Sequence, residues 1–323
     1  MNKNKFTPLV SIIIPVFNAE RYIYHTLKHL LNQDYDNFEI IIVNDNSSDK
    51  SIKIVKSFNS SKIKIYNNNK SGASSARNYG ITMSSGEYIQ FLDADDILSK
   101  NKISNQISIA EKYNFNPKIL ISCSFQRFKT YPFVKKNIGL KKIDKDYNKP
   151  VDWLIDSWTG GGMGQTSIWL THKLLIQSSG IWDESLKKNQ DGEFFSRVIT
   201  QSNKIIFEDK SIVYYRDTKL SISKNKSYES ALSTFKSYVK YIDNTKHLCK
   251  NDNNLRYALA HCFYSFIRHH YPSHMDLIKK SEEIIYNYGF NLTNFATSSK
   301  LTIVAKLFGF YNALKIKRFF NED

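Results

Sequence analysis

Three carboxylates fall within four residues at Asp93, Asp95 and Asp96, with no basic side chain among them. Held that close, they repel one another unless something cationic sits there. A hard divalent ion bound through one or two carboxylates, with a substrate's phosphates in its other positions, is the chemistry such a cluster suits. Residues 88–92 (Tyr-Ile-Gln-Phe-Leu) read as a buried strand, so the acids emerge at its C-terminal end, where open α/β sheets bind ligands. The competing use is structural: Asp95 or Asp96 would cap a helix starting near Ser99. His261, Cys262, His269, His270 and His274 also invite a metal reading, but their spacing matches no zinc pattern.

The surrounding elements must bring such groups together. Residues 9–16 form an apolar strand with Pro15 near its end, and Asn18 can cap a helix carrying Ile23, Leu27, Leu30 and Leu31. A second strand, 38–43, runs into the polar turn Asn44-Asp45-Asn46-Ser47-Ser48-Asp49, rich in residues that bond their own backbone. Strands at 62–66 and 87–92 alternate with helices at 52–58 and 74–83, the signature of a doubly wound α/β layer through about residue 110. The loops after the first two strands then share one crevice with the carboxylates. Further on come a helix at 102–113, a strand at 119–125, a basic insertion at 131–149 and a short helix at 151–158 with Trp153 and Trp158. The run Gly160-Gly161-Gly162-Met163-Gly164 costs backbone entropy and implies unusual dihedrals or mobility. A strand is expected at 166–170, and short strands at 204–207 and 212–215. Between them Asn189-Gln190-Asp191-Gly192-Glu193 opens a helix with acids in its first turn. From about residue 226 the pattern is helical, with breaks near Asn251, Pro272 and Gly289, and residues 300–320 form a basic amphipathic helix that suits a membrane interface or its own domain.

With 323 residues, 41% hydrophobic and 14% aromatic, the chain has ample material for a folded core. Cys123, Cys249 and Cys262 form neither a disulfide framework nor a zinc pattern, which implies a reducing compartment. No signal peptide and no membrane-spanning run is evident, so the expected location is cytoplasmic, with peripheral attachment to the inner face of the plasma membrane through the last helix. The net charge of +16 admits nucleic acid, a nucleotide-linked substrate or an anionic membrane surface as partner.

Four segments in succession, Ser11-Ile12-Ile13-Ile14-Pro15-Val16-Phe17-Asn18, Ile41-Ile42-Val43-Asn44-Asp45-Asn46-Ser47-Ser48-Asp49, Gly72-Ala73-Ser74-Ser75-Ala76-Arg77-Asn78-Tyr79-Gly80 and Phe91-Leu92-Asp93-Ala94-Asp95-Asp96, resemble the family 2 inverting glycosyltransferases of the GT-A fold. The match covers about residues 8–216. It implies an α/β fold of GT-A type, with a mostly parallel nucleotide-binding sheet flanked by helices and a helical C-terminal region. The division would be a transferase domain over 1–217, its nucleotide-sugar half at about 8–98 and its acceptor half at about 99–217, followed by 218–323. The implied reaction moves a sugar from a nucleotide-diphosphate sugar, with a lean towards UDP, to a hydroxyl on a glycan or lipid-linked saccharide in bacterial surface polysaccharide or lipopolysaccharide assembly.

The resemblance also assigns residues. Pro15, Val16, Phe17 and Asn18 would lie against base and ribose, Asp45 would accept from the base ring N–H, and Arg77 would stand near the diphosphate or sugar. Asp95 and Asp93 would hold Mn2+ or Mg2+, with Asp93 also touching ribose or sugar. Asp191 would be the base that inversion by one displacement requires, with Glu193 as the alternative. The commoner family pair there is Glu-Asp, and this chain has Gln190 in the first place. Trp158 and Trp182 would meet the acceptor. Other readings compete. A nucleotidyltransferase lacks its glycine-rich phosphate loop here, since residues 15–18 hold no glycine. A basic nucleic-acid-binding protein would leave clustered acids facing a phosphate backbone, so nucleic acid is not the expected partner. A catalytically inactive, membrane-associated scaffold would use the last helix alone.

Overall fold

A strand built almost wholly of Val and Ile has no polar face to offer water, and β1 (Val10–Val16) accordingly sits between two neighbours with every residue but Pro15 buried. It runs parallel to β2 (Phe38–Asn44) on one side and β4 (Tyr88–Phe91) on the other. The sheet is completed by β3 (Ile63–Asn67) beyond β2 and by the antiparallel β7 (Thr171–His172) beyond β4, in the order β3-β2-β1-β4-β7. The computed structural model describes residues 6–133, 139–218, 225–249, 252–295 and 309–319.

Pro15 marks where the sheet opens. Leu92 N donates to Ile13 O at 3.0 Å, the last bond β4 makes to β1. Alternate strand residues point the same way, so the N–H that Pro15 lacks would face the side β4 has already left. The chain winds outward from β1 in opposite directions, which places a switch point and a crevice between the C-terminal ends of β1 and β4.

Helices α1 (Ile23–Leu30), α2 (Ser51–Ser57) and α3 (Ala73–Met83) cover this layer. Asn18 does not cap α1, contrary to the expectation from the sequence. It takes φ 46° and its Oδ1 accepts from Ser48 N at 2.9 Å, joining the loops after β1 and β2. Nor do the acids start a helix. The two-residue β5 (Ile97–Leu98) intervenes, and α4 (Lys102–Lys112) begins without a side-chain cap.

A second sheet has the order β5-β8-β6, with β6 (Ile119–Phe128) parallel to β8 (Lys204–Arg216). The two short strands expected at 204–215 are this one bulged strand, whose pairing jumps from Glu208 to Ile212 opposite Cys123 and Ser124. The strand expected at 166–170 is a 3-10 turn, Thr166–Ile168, with one bridge from Leu170 to Ile121. Helix α5 (Pro150–Asp156) runs into a wide turn at Ser157–Gly161, and α6 (Lys173–Ser179) and α7 (Gln190–Gln201) follow.

Beyond β8 the chain is helical: α8 (Tyr228–Cys249), α9 (Asn253–His270), α10 (Met275–Asn287) and α11 (Phe310–Phe319). Phe235, Phe263, Phe266, Ile278 and Phe295 form a core of their own there. A smaller cluster of Tyr241, Leu255, Leu259 and Cys262 meets Val151, Ile155 and Trp158, seating α8 and α9 on α5. Of the amphipathic helix expected at 300–320, residues 300–308 and the side chains of 316–320 lie outside the described residues. The described apolar positions Phe310 and Leu314 are buried in the helical core. Among the described residues no helix is long and apolar enough to cross a membrane.

Candidate active site

The crevice between β1 and β4 starts with Phe17, whose ring is 63% exposed and so offers a free face. Val16, by contrast, is fully buried. Its side chain belongs to the core, and only its backbone serves the loop, with Val16 O accepting from Asp45 N at 2.8 Å. The Asp45 carboxylate takes Gly72 N at 2.9 Å and Asn68 Nδ2 at 2.7 Å, and so pins the loop that enters α3. Gly72 sits at φ 110°, a conformation that strains any residue with a Cβ. A carboxylate has about four lone-pair directions, so Asp45 retains room for a further donor.

The three clustered acids have three different environments. Asp93 Oδ1 accepts from Arg77 Nη2 at 2.8 Å. Among the described residues the Asp95 carboxyl has no hydrogen-bond partner beyond its own backbone N–H, and burial followed by the Asp93 charge pushes it up to about 7. Asp96 is fully buried and accepts from Arg216 N at 2.9 Å and Gln165 Nε2 at 2.7 Å. Burial and its two acidic neighbours raise it well above the usual carboxylate range. Asp96 is therefore a bracket between the end of β8 and the loop after the glycine run, while Arg216 Nε also donates to Asp95 O at 2.9 Å. Sequence spacing gave no hint of Gln165 or Arg216, which lie 69 and 120 positions from Asp96.

Arg77 carries the geometry across the molecule. Almost buried on α3, it lies 4.5 Å over the Trp182 ring and donates from Nη1 to Gln190 Oε1 at 3.3 Å, in addition to its Asp93 bond. One guanidinium thus fixes the first residue of α7 against the carboxylate cluster. Gln190 accepts this bond without adding a charge, and its Nε2 donates to Leu186 O.

Asp191, the next residue, lines a cleft of about 560 Å³ together with Asp93. Among the described residues its carboxyl accepts backbone N–H groups, its own and that of Gly192, and burial holds it above the ordinary aspartate range. Its position depends on α8. Asn189, at φ 57°, donates from Nδ2 to Ser237 Oγ at 2.7 Å and to Tyr241 Oη at 2.8 Å. A Cβ on Gly192 would stand 2.0 Å from Tyr241 Oη, so only glycine lets α8 approach.

The other candidates separate. Trp158 lines the cleft, with one face covered by the Tyr241 ring at 4.6 Å and its carbonyl 2.6 Å from His261 Nδ1. Trp182 does not reach the cleft. It is 1% exposed and stacked on Phe194 at 4.3 Å, which leaves no face for an acceptor. Glu193 is buried and ion-paired to Arg197 at 2.8 Å, which removes it as an alternative base. In the glycine run, Gly160 and Gly162 take φ 91° and 145°, and a Cβ on Gly164 would stand 2.6 Å from the Trp153 ring. The run answers both to dihedrals and to close packing.

Among the described residues no group of three or more His, Cys, Asp or Glu side chains could hold a metal ion unaided. Asp95 and Asp93 fit the other kind of site, in which one or two carboxylates share a hard ion with substrate phosphates. The unpartnered Asp95 carboxyl, pushed upward beside a second acid, is the feature a cation would relieve.

A family model described as Glycosyl transferase family 2 matches residues 11–160. The chain is 32% identical over 246 residues to an uncharacterised glycosyltransferase of Rickettsia typhi, covering 73% of this chain and 74% of that protein. It is 42% identical over 142 residues to the Escherichia coli UDP-Glc:alpha-D-GlcNAc-diphosphoundecaprenol beta-1,3-glucosyltransferase WfgD, covering 44% and 54% of the two chains. Among solved structures, residues 1–349 of Staphylococcus aureus TarS in complex with UDP-GlcNAc superpose with a TM-score of 0.63 at 16% identity, over 97% of this chain and 91% of that one. The mannosyltransferase PcManGT of Pyrobaculum calidifontis, in complex with GDP-Man and Mn2+, gives 0.53 at 14% identity over 99% and 89%. These likenesses show the GT-A fold.

Proposed function

Since the chain belongs to glycosyltransferase family 2, we propose that it transfers a sugar from a UDP-sugar to a hydroxyl acceptor with inversion, using Mn2+ or Mg2+ held by Asp95 and Asp93. Family membership makes the protein a transferase. The observation that supports the mechanism is the Arg77 strut, which ties Asp93 to the start of α7, with Asp93 and Asp191 both lining one cleft.

In this reading the Phe17 ring lies against the base and Asp45 accepts from its ring N–H. The metal, when bound, offsets the charge that develops on the departing diphosphate. Arg77 keeps Asp93 oriented. Asp191 takes the proton of the acceptor hydroxyl at its carboxylate as that oxygen attacks the face opposite the leaving group, and burial has already moved this carboxyl towards the range where a base works best. Trp158 offers the acceptor its uncovered edge. The lean towards uridine is supported by WfgD and TarS, one named for UDP-Glc and the other solved with UDP-GlcNAc. The setting in bacterial surface polysaccharide assembly is supported by WfgD and by the Bacillus subtilis minor teichoic acid biosynthesis protein GgaB. Residues 1–217 are assigned as the transferase domain and 218–323 as a helical region that completes its cleft.

The test is hydrolysis of a panel of UDP- and GDP-sugars with and without Mn2+. Turnover of a UDP-sugar that needs the ion and is abolished in Asp95→Ala is expected. Turnover indifferent to both metal and substitution would remove the mechanism.

A further inference from the structure

The transferase reading so far draws no residue from helix α9, yet one α9 side chain holds part of the cleft wall. His261 Nδ1 lies 2.6 Å from the Trp158 carbonyl oxygen, 103 positions away along the chain, and both residues border the cleft. Trp158 in turn stacks on Tyr241 at 4.6 Å, and Tyr241 Oη accepts from Asn189 Nδ2 at 2.8 Å, two residues before Asp191. His261 thus begins a continuous run of contacts, through Trp158 and Tyr241 to Asn189, that ends beside the proposed base. The rings of Tyr264 and Phe295, 5.6 and 5.8 Å from that of His261, belong to the helical core and pack against the imidazole.

A carbonyl oxygen can only accept, so the contact with Trp158 requires Nδ1 to carry a proton. Burial, the largest influence on the ring, holds it below its usual value of 6.5, so at neutral pH the imidazole has a single proton and Nδ1 keeps it. Nε2 is then left as a lone pair. Among the described residues it makes no hydrogen bond, and the ring is partly exposed. A bare ring nitrogen on a cleft wall accepts from an O–H or N–H and has nothing to give a carbonyl, ether or phosphate oxygen. Beside it, the uncovered edge of Trp158 is apolar. A sugar ring can rest its C–H surface on the indole and give a hydroxyl to the imidazole.

We propose that His261 is an acceptor-binding residue whose Nδ1 holds the Trp158 carbonyl while Nε2 accepts a hydrogen bond from a non-reacting hydroxyl of the acceptor sugar. The assignment rests on the reading of Asp191 and Trp158 given above and deepens it, because it names what this wall recognises: a group with a proton to donate. It also gives the helical region a share in the choice of acceptor. The two ring nitrogens have separable duties, since an asparagine amide nitrogen falls near the place of Nδ1 and a glutamine amide near that of Nε2.

The experiment uses the full chain with isotopically labelled histidine ring nitrogens, read by NMR, and His261 is assigned by the signals missing from whichever variant below folds. Native His261 should show the Nδ1–H tautomer. Methyl β-glycosides of glucose, galactose and N-acetylglucosamine are then added singly, and at least one should move the Nε2 resonance. An Nε2–H tautomer, or an Nε2 resonance that no glycoside moves, overturns the assignment. Thermal unfolding, and transfer to the bound glycoside from the UDP-sugar that the chain hydrolyses, separate the two nitrogens. His261→Asn should keep the native Tm and raise KM for the glycoside about tenfold. His261→Gln should recover most of that KM while lowering Tm by about 2 °C. A native KM in His261→Asn would mean that the imidazole only holds Trp158, and it too overturns the proposal. Donor hydrolysis is read separately: its absence in the native chain refutes the active-site reading, whereas the tautomer and the glycoside shift need no turnover and decide His261 alone.

Discussion

At the scale of single residues, neighbours of the same type do different work because their surroundings differ. Asp93 is paired with Arg77, Asp95 has no side-chain partner among the described residues, and Asp96 holds two donors from distant segments. The sequence makes the cluster conspicuous but ranks its members only by analogy, since adjacent carboxylates look alike until their partners are known. Asp191 is a similar case. Its raised carboxyl must be ionised to accept a proton, so turnover is lost as pH falls through its folded value, and that acid limb should lie above the ordinary aspartate value of 3.8. A kcat profile against pH checks this. Asp191→Asn should lower kcat by about 10²–10⁴ and erase the limb. The glycine that follows is equally specific. Gly192→Ala drives a Cβ to 2.0 Å from Tyr241 Oη and should cost about 1–3 kcal/mol in urea unfolding as well as displacing Asp191. Adding Tyr241→Phe, which removes the clashing oxygen, should recover part of that loss.

Between elements, β4 is tied to its neighbours through polar groups that no periodicity reveals. Lys102, at the first turn of α4, is fully buried and donates to Gln90 Oε1 on β4, while Gln90 Nε2 reaches Ser167 O at 2.9 Å. Burial brings the Lys102 ammonium down to about 8, from 10.5. The sign follows from proton binding. Between those values the unfolded chain still holds the proton and the folded chain has released it, so stability rises with pH across that window, by an amount on the order of 3 kcal/mol. Urea unfolding at pH 8 and pH 10 should show the gain in the native chain and lose it in Lys102→Met. Strand and helix periodicity made the first layer legible, from β1 through α3, because each of those elements buries one continuous apolar face. The bulge in β8 and the turn at Thr166–Ile168 escaped for the opposite reason. The first is one strand whose pairing skips residues, and the second is a buried stretch that gains its burial from neighbours instead of a ladder.

Over the whole molecule, charge and packing play separate parts. A net charge of +16 raises the local concentration of anionic substrates, so the apparent affinity for a UDP-sugar should fall as ionic strength rises from low salt to several times physiological. Initial-rate measurements at fixed pH check this, and a KM independent of salt would deny the field any role. The helical region is part of the working cleft, because Trp158 on the transferase side stacks on Tyr241 of α8 and His261 of α9 meets the Trp158 carbonyl. Sequence determined the α/β layer, the order of its loops and the place where the acids gather, since all three are written in local periodicity and in residues a few positions apart. Only the tertiary structure decided that Arg77 joins Asp93 to Gln190, that Trp182 and Glu193 are core, and that α8 holds the start of α7 in place. Those contacts link residues separated by tens to more than a hundred positions, as between Arg77 and Gln190 at 113. Distances of that kind are set by how apolar faces stack in three dimensions, which the order of residues along the chain leaves unspecified.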